Sequence, residues 1–238
     1  MCFRSAILML FFSGIGFAQT PAPLYALAPP GHGENGDWAF FSRYAQSNAE
    51  LKPDAARVVF LGDSITEAWA KEPLFSADTH YVGRGIGGQT APQMLVRFRA
   101  DVISLKPQVV HIMAGTNDIA GNNGPESDEE IKGAFESMVE LALANHIKVV
   151  LASVPPAADY EWHRGLNPVS RIRRLNDWIK AYAKQKGVGY VDYWPALATD
   201  DGAMKSTLSR DGVHPNSQGY KNMQPLAQAA IDSALKAR

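Results

Sequence analysis

The stretch RVVFLGDSITE, residues 57–67, joins a continuous apolar run to polar residues that favour the start of a helix. An unbroken apolar run is typical of a strand that is buried on both faces of a parallel sheet. The change of pattern predicts a strand over residues 57–61 and a helix that begins at about Ser64. This stretch therefore predicts one strand–helix unit of an α/β protein.

Further runs of β-branched and apolar residues predict strands at 79–82, 109–113, 148–152 and 189–192. Between these runs, apolar residues recur at helical spacing, and a last helix is predicted from about residue 217 to residue 235. Such alternation favours a parallel sheet with helices on both faces. The predicted fold is a three-layer α/β/α sandwich with a five-stranded parallel sheet, in which ligands bind beyond the carboxyl ends of the strands.

The N-terminal residues predict export. Arg4, a following apolar stretch and small residues that end at Ala18 form the three-part pattern of a signal peptide over residues 1–18. Residues 19–36 are rich in Pro, Ala and Gly and are expected to form a flexible lead into a single domain over residues 37–238. We therefore expect a secreted or periplasmic protein with no membrane span in the mature chain.

The composition of the expected mature chain argues against thiol-based sites and against strongly charged partners. The one cysteine, Cys2, lies in the predicted signal peptide, which leaves no thiol for a disulfide or a cysteine-based zinc site. Loss of Arg4 leaves 22 basic against 24 acidic side chains, a formal charge of −2. This balance gives no electrostatic reason to expect nucleic acid or an anionic membrane as partner.

Residues 37–51 contain several aromatic side chains and predict a helix that packs on the body of the domain. Large aromatic side chains are usually buried, and they contribute much of the apolar area of a core. We therefore expect the four aromatics of this segment to belong to the core: Trp38, Phe40, Phe41 and Tyr44.

The motif Gly62-Asp63-Ser64 places a serine where the first predicted strand gives way to a helix. A structural interpretation is available, because the residues from Ser64 to Glu67 match a helix capping box. A serine at such a turn also lies beside exposed backbone N–H groups, which can stabilise an anion next to its own hydroxyl. Partners elsewhere in the chain decide between the two interpretations.

The segment from Asp211 to Pro215, DGVHP, presents a carboxylate and a histidine on one short loop. A serine hydroxyl is a weak nucleophile until a base accepts its proton, and a carboxylate can orient that base. The pair Asp211 and His214 therefore suits the activation of a serine. A loop that caps the last helix and half of a metal site are the alternative interpretations.

Two further motifs follow predicted strands. The motif Gly115-Thr116-Asn117-Asp118 offers an amide that can donate to a developing oxyanion, although an Asn-Asp pair is also common in ordinary turns. Residues 83–90, GRGIGGQT, satisfy the G-x-G-x-x-G pattern, so dinucleotide binding is an alternative. No acidic residue ends a strand about twenty positions further on, as that pattern requires. We favour a loop whose backbone N–H groups approach a substrate carbonyl oxygen.

In this order, the motifs resemble the sequence blocks of the SGNH (GDSL) hydrolase family over about residues 57–220. The matching blocks are Gly62-Asp63-Ser64, Gly88, Gly115-Thr116-Asn117-Asp118 and Asp211-x-x-His214. The resemblance implies a flavodoxin-like SGNH hydrolase domain and a carboxylic ester hydrolase that needs no metal or organic cofactor. The chain departs from many relatives in having Gln89 after the matching glycine.

The resemblance also implies roles for individual residues. Ser64 would be the nucleophile, His214 its general base, and Asp211 the carboxylate that orients His214. The oxyanion hole would consist of the backbone N–H groups of Ser64 and Gly88 and the side chain of Asn117.

The substrate is inferred from the surroundings of these motifs. Export and the absence of an obvious amphipathic lid favour short-acyl esters, with O-acetylated carbohydrate as the natural class. Residues 154–167 form an irregular insert that predicts either a substrate-pocket wall or a surface loop, and Asp63 is expected mainly to hold the serine turn. The candidate substrate-binding residues are Asp63, Trp162, His163 and Arg164. Lysophospholipase or thioesterase activity and a non-catalytic carbohydrate-binding role are the alternatives, and the oligomeric state is left open.

Overall fold

The computed structural model describes residues 37–78 and 80–237. The predicted signal peptide over residues 1–18 and the predicted lead over residues 19–36 lie outside the described residues. The strands are β1 Val58–Gly62, β2 Tyr81–Gly85, β3 Val109–Met113, β4 Lys148–Ala152 and β5 Gly189–Val191. The α-helices are α1 Ala45–Ala49, α2 Ser64–Trp69, α3 Pro73–Ala77, α4 Ala91–Asp101, α5 Thr116–Ala120, α6 Asp128–Ala144, α7 Val169–Lys186, α8 Trp194–Leu197 and α9 Ser217–Lys236. Short 3-10 turns lie at Ile103–Leu105 and Ser206–Leu208.

The strands form one parallel sheet in the order β2-β1-β3-β4-β5. The register aligns Gly62 with Gly85 on one side and with Met113 on the other, so β1, β2 and β3 end at the same level. The strand order reverses between β1 and β3, and the carboxyl ends beside such a reversal form a crevice for ligands. The predicted five-stranded parallel sheet is therefore confirmed.

Both faces of the sheet carry a hydrophobic core, because alternate residues of each strand point to opposite sides. Val59 and Leu61 of β1 pack in the cluster that contains the buried residues of α4, α6 and α7. Val58 and Phe60 pack in the cluster that contains those of α2, α8 and α9. This arrangement confirms the predicted three-layer α/β/α sandwich. Among the described residues, we find no helix with the length and apolar character that a membrane crossing requires.

Helix α2 begins with a different cap from the one that the sequence predicts. The cap residue is Asp63, whose side chain accepts a hydrogen bond from the Ile65 N–H at 2.9 Å. Ser64 is the first residue of the helix, and Glu67 bonds to Arg43 and to the Gly87 N–H instead of closing a capping box. The capping-box interpretation of Ser64 is therefore wrong, since the preceding aspartate takes the cap position. The serine hydroxyl is left for other partners.

The start of α2 lies directly against β2. A Cβ atom added to Gly85 would come within 2.2 Å of the Glu67 backbone nitrogen. Only a glycine permits this approach, which brings the carboxyl end of β2 beside the first turn of α2. The glycine therefore helps to place Ser64 next to the loop that follows β2.

The helix and the core packing predicted for residues 37–51 are largely wrong. Only Ala45–Ala49 are helical, because the Asp37 carboxylate accepts hydrogen bonds from the N–H groups of Phe41 and Ser42 and holds the preceding residues in turns. Trp38 and Phe41 are 45% and 46% exposed, so they are not core residues. Phe40 and Tyr44 are half-buried, and Tyr44 donates a hydrogen bond to the Gly85 carbonyl at the end of β2.

Candidate active site

The predicted catalytic residues meet at the carboxyl ends of the central strands. Ser64 follows β1 and opens α2, while His214 lies on the loop between the Ser206–Leu208 turn and α9. The Ser64 Oγ and His214 Nε2 atoms are 2.8 Å apart. The His214 Nδ1 and Asp211 Oδ2 atoms are 2.7 Å apart. A serine, a histidine and an aspartate therefore form one continuous chain of hydrogen bonds.

Main-chain contacts hold the histidine loop in shape. The second carboxylate oxygen of Asp211 accepts hydrogen bonds from the N–H groups of Val213, at 3.0 Å, and His214, at 2.7 Å. Ser209 Oγ donates to the His214 carbonyl at 2.9 Å, and Gly212 has a φ of 84°, which glycine adopts without strain. Asp211 thus orients the imidazole and shapes the loop that carries it.

The Asp211 carboxylate is kept in its charged form. Partial burial alone would raise its pKa, but hydrogen bonds from the His214 and Val213 N–H groups and the interaction with the His214 ring lower the pKa below its ordinary value. The side chains of Asp211 and His214 are 31% and 26% exposed, so the pair remains open to solvent and substrate. An ionised carboxylate in this position stabilises an imidazolium as it forms.

The glycine loop after β2 offers a backbone donor near Ser64. The Gly87 N–H is already bonded to Glu67 Oε2 at 2.9 Å, whereas the Gly88 N–H has no acceptor within the described part of the chain. Gly88 has a φ of 79°, the left-handed region in which glycine is favoured. Gln89, the next residue, is buried and accepts from Arg97 Nε at 2.6 Å. These contacts favour Gly88 over its neighbouring glycines as an oxyanion donor.

Asn117 is buried at the start of α5, with its side chain between the glycine loop and the serine turn. Its Nδ2 atom donates to the Gln89 carbonyl at 3.0 Å and lies 3.4 Å from Asp63 Oδ2. The second distance is long for a hydrogen bond, so one amide proton is only weakly held. That proton is suited to bind a negative oxygen that enters the site.

Asp63 lies next to the Asn117 side chain and is only 1% exposed. Burial raises its pKa to about 6, although the hydrogen bond from Ile65 N–H and the nearby His214 oppose the rise. One carboxylate oxygen caps α2, and the other faces Asn117. Its position suits the support of the serine turn, and its burial does not suit the direct substrate contact that was also predicted.

The insert over residues 154–167 forms one wall of the site. The Trp162 ring is 47% exposed, with its centroid 6.2 Å from that of His214 and 5.3 Å from that of Tyr160. Arg164 lines a cavity of about 280 Å³ that also contacts Asp211. His163 instead donates from Nδ1 to the Ala120 carbonyl at 2.6 Å and ties the insert to α5. The structure brings Trp162 and Arg164 to the site more directly than His163.

Sequence analysis missed Asn122, which contacts three parts of the site. Its Oδ1 accepts from Trp162 Nε1 at 2.8 Å, and its Nδ2 donates to Asn117 Oδ1 at 2.7 Å and to the Gly88 carbonyl at 3.4 Å. The sequence around it, GNNG at residues 121–124, is typical of a turn and carries no other signal.

A second missed feature is a pair of carboxyl groups, Asp118 and Glu126, beneath the glycine loop. Asp118 is fully buried and accepts from the Ala91 N–H at 2.8 Å. Burial raises the pKa of Glu126, and the neighbouring Asp118 carboxylate raises it further. Burial also raises the pKa of Asp118, and a buried oxygen of each carboxyl group, Asp118 Oδ2 and Glu126 Oε2, has no other hydrogen-bond partner among the described residues. We therefore expect the two carboxyl groups to share one proton, because two negative charges side by side in a buried place repel each other.

Comparison with known proteins gives a consistent family match. The model of the GDSL-like lipase/acylhydrolase family matches residues 60–221. In the crystal structure of a GDSL-like lipase from Bacteroides thetaiotaomicron, the matching chain is 43% identical, with a TM-score of 0.79, and the match covers 82% of this chain and 98% of that one.

Two characterised relatives match at lower identity. Platelet-activating factor acetylhydrolase IB subunit alpha1 of Rattus norvegicus is 26% identical over 196 residues, which cover 78% of this chain and 79% of the relative. Acetylxylan esterase of Xylanibacter ruminicola is 27% identical over 218 residues, which cover 76% of this chain and 44% of the relative. The second relative is thus the longer protein, and the match concerns less than half of it.

Proposed function

The chain belongs to the GDSL-like lipase/acylhydrolase family and is an esterase of that family, and from this premise we propose that it cleaves short-acyl esters through an acyl-Ser64 intermediate. The natural substrate class in this proposal is an O-acetylated carbohydrate. The observation that carries the mechanism is the pair of contacts at 2.8 Å and 2.7 Å that joins Ser64 to Asp211 through His214. Membership of a hydrolase family argues against the dinucleotide-binding and non-catalytic alternatives.

The first half of the reaction transfers the acyl group to the enzyme. His214 Nε2 accepts the proton of Ser64 as Oγ attacks the ester carbonyl carbon, and the carbonyl π electrons move to the oxygen. Asp211 fixes the imidazole with Nδ1–H towards itself and stabilises the positive charge that forms. His214 then gives its proton to the alcohol oxygen, the carbon–oxygen bond of the ester breaks, and the alcohol leaves.

The second half uses water in place of Ser64. His214 accepts a proton from water while the water oxygen attacks the acyl carbon, and the bond to Ser64 Oγ breaks as His214 returns the proton to it. The carboxylic acid leaves and the free serine is restored. In both halves, the N–H groups of Ser64 and Gly88 and the Asn117 amide hold the oxyanion. Removal of one such donor typically costs about 10²–10³ in kcat.

The preference for acetyl groups rests on the relatives and on the walls of the site. Both relatives have names that state an acetyl group, one on a platelet-activating factor and one on a xylan. The exposed Trp162 indole beside His214 offers an apolar face of the kind on which a sugar ring stacks. The acetyl ester of a platelet-activating factor is the second candidate substrate, and it is favoured because the match covers 79% of that relative against 44% of the acetylxylan esterase. Export through the predicted signal peptide over residues 1–18 is part of the same proposal.

The test compares Ser64→Ala with Ser170→Ala, a serine exposed on α7. Substrates are p-nitrophenyl esters from acetate to octanoate, acetylated xylan and platelet-activating factor. We expect Ser64→Ala to lose at least about 10³-fold in kcat on acetate esters, because removal of a triad member has effects of that order, and Ser170→Ala to match the wild type. Retention of most turnover by Ser64→Ala would contradict the mechanism, and faster turnover of octanoate than acetate would contradict the short-acyl preference.

A further inference from the structure

We propose that Asn122 and Trp162 are positioning residues that decide which end of the Asn117 carboxamide faces the substrate. This inference rests on the proposed function, since it assumes that Asn117 is a donor of the oxyanion hole. The contacts that carry it form one directed chain of hydrogen bonds from the Trp162 indole through Asn122 to Asn117.

The orientation of a carboxamide matters because its two ends have nearly the same shape and opposite hydrogen-bonding character. The nitrogen end donates two protons, and the oxygen end only accepts. With Nδ2 towards the substrate, Asn117 stabilises a negative oxygen. After a half-turn about the last side-chain bond, it would present lone pairs to that oxygen and repel it.

The Trp162 indole fixes the direction of the chain. An indole N–H is a donor only, so the atom of Asn122 at 2.8 Å from Trp162 Nε1 has to be the amide oxygen. The nitrogen of Asn122 therefore points the other way, where it lies 2.7 Å from Asn117 Oδ1. That contact holds the oxygen end of Asn117 away from the substrate and turns its nitrogen towards the site.

The main chain supports the same orientation from the opposite end. The Gln89 carbonyl, which can only accept, takes one proton of Asn117 Nδ2 at 3.0 Å. Loss of the Asn122 side chain alone should therefore weaken only in part the preference of Asn117 for turning Nδ2 towards the substrate. A carboxylate at position 122 should reverse it, because both oxygens accept and Asn117 would have to turn its nitrogen towards them.

The fold places Asn122 beside Asn117 through the end of α5. Gly121 has a φ of 71° and reverses the chain, and the Asn122 N–H then bonds to the Asn117 carbonyl at 3.0 Å. Trp162 is held from the other side by Tyr160, whose ring centroid is 5.3 Å away. One indole thus connects the two halves of the site, with its ring beside His214 and its N–H on the oxyanion side.

The main experiment compares Asn122→Asp with Asn123→Asp, the same change at the next residue. Asn123 bonds to Thr90 Oγ1 at 3.3 Å and, among the described residues, makes no hydrogen bond to Asn117. We expect Asn122→Asp to lower kcat on an acetate ester by about 10- to 100-fold, a smaller loss than removal of an oxyanion donor causes. The KM and the unfolding midpoint should stay close to those of Asn123→Asp. Equal kcat values for the two variants would overturn the inference.

A double-mutant cycle separates positioning from a general structural effect. If Asn122 acts through Asn117, the Asn122→Asp change should alter kcat by less than about 2-fold in an Asn117→Ala background, because coupled residues are not additive. Persistence of the full effect in that background would overturn the inference. If Asn117→Ala alone leaves kcat unchanged, the oxyanion assignment and the inference fail together, whereas turnover by Ser64→Ala would instead contradict the proposed function.

Trp162→Phe tests the chain from its other end and does not depend on a change at Asn122. Phenylalanine keeps an aromatic ring beside His214 and Tyr160 but lacks the N–H donor. We expect about a 3- to 10-fold loss in kcat that disappears in the Asn117→Ala background. A change in KM alone would assign Trp162 to substrate stacking and exclude it from the orientation of Asn117.

Discussion

Acidic side chains lie in two parts of the candidate active site, and their surroundings are opposite. Asp211 lies on a loop with its side chain 31% exposed, and hydrogen bonds from His214 and Val213 hold its pKa low against the effect of partial burial. Asp118 and Glu126 lie beneath the glycine loop, where burial and their own proximity raise the pKa of Glu126. Asp211 provides a charge beside His214, whereas the buried pair, with one expected proton between its two carboxyl groups, provides structural support.

The difference shows that the surroundings of a carboxyl group assign its role. Asp211 accepts from two main-chain N–H groups and contacts the His214 imidazole, which becomes positive in the proposed reaction, so ionisation is favoured. Asp118 meets another carboxyl group in a buried place, where two negative charges cannot both be held. The same change from aspartate to asparagine at Asp211 and at Asp118 should therefore have very different effects on kcat.

The largest difference is expected between Asp211→Asn and Asp118→Asn. An amide at position 211 cannot stabilise the imidazolium and favours the wrong tautomer, so kcat should fall by about 10³–10⁴. An amide at position 118 keeps an oxygen that accepts from the Ala91 N–H. Its nitrogen can donate to Glu126 in place of the shared proton, so kcat should fall by less than about 10-fold. Steady-state kinetics on an acetate ester measure both, and equal losses would show that the buried pair takes part in the chemistry.

A smaller effect is expected on the pH dependence of stability at Glu126. Its pKa is raised above the ordinary value of 4.5, so its contribution to folding is fully present below that pH and is lost as the pH rises through the native pKa. Glu126→Gln should therefore match the wild type near pH 5 and gain about 2–4 °C in Tm at alkaline pH.

Glu130→Gln is the control for this measurement. The Glu130 side chain accepts from the Ser127 N–H at 2.7 Å, and this bond lowers its pKa. The substitution should lower Tm slightly at neutral pH and have less effect in acid, the reverse of the pattern at Glu126. Parallel thermal denaturation curves for the two variants at all pH values would contradict the assignment of the shared proton.

The smallest effect concerns the stability that Asp211 contributes near neutral pH and that is lost in acid. Its pKa is lowered from 3.8, so its stabilising contribution is present above that pH and is lost as the pH falls through the native pKa. Because the pair is partly exposed, we expect Asp211→Asn to lower the free energy of unfolding by no more than about 1 kcal/mol at pH 6, and by less near pH 3. Urea denaturation at the two pH values measures this difference, and a loss that grows in acid would exclude it.

The fold could be predicted from sequence because apolar runs and helical spacing record burial directly. The runs at 109–113 and 148–152 coincide with β3 and β4, and the last helix differs by one residue at its end. The strand β2 begins at Tyr81 and extends to Gly85, later than the predicted 79–82, because its final residues are glycines and an arginine that do not look like a strand. Pairing with β1 includes them in the sheet.

The parts that could not be predicted depend on contacts between distant segments. The orientation of the Asn122 side chain is fixed by its hydrogen bond to Trp162, which lies 40 positions further along the chain. The capping-box interpretation was wrong because Asp63 and Ser64 are both good cap residues, and the local sequence does not decide which of the two neighbours caps the helix. Trp38 shows the same limit, since an aromatic residue next to a turn has no local signal for its exposure.

The hydrogen bond between Ser64 and His214 joins residues that are 150 positions apart. Contacts between such distant residues form slowly, because a long loop of chain has to close first. A ribosome makes Ser64 well before His214, so under the proposed mechanism a chain that is still being synthesised carries the nucleophile without its base. Ester hydrolysis therefore reports on chains whose two distant segments have met, and recovery of activity after denaturation should follow the slowest step of folding.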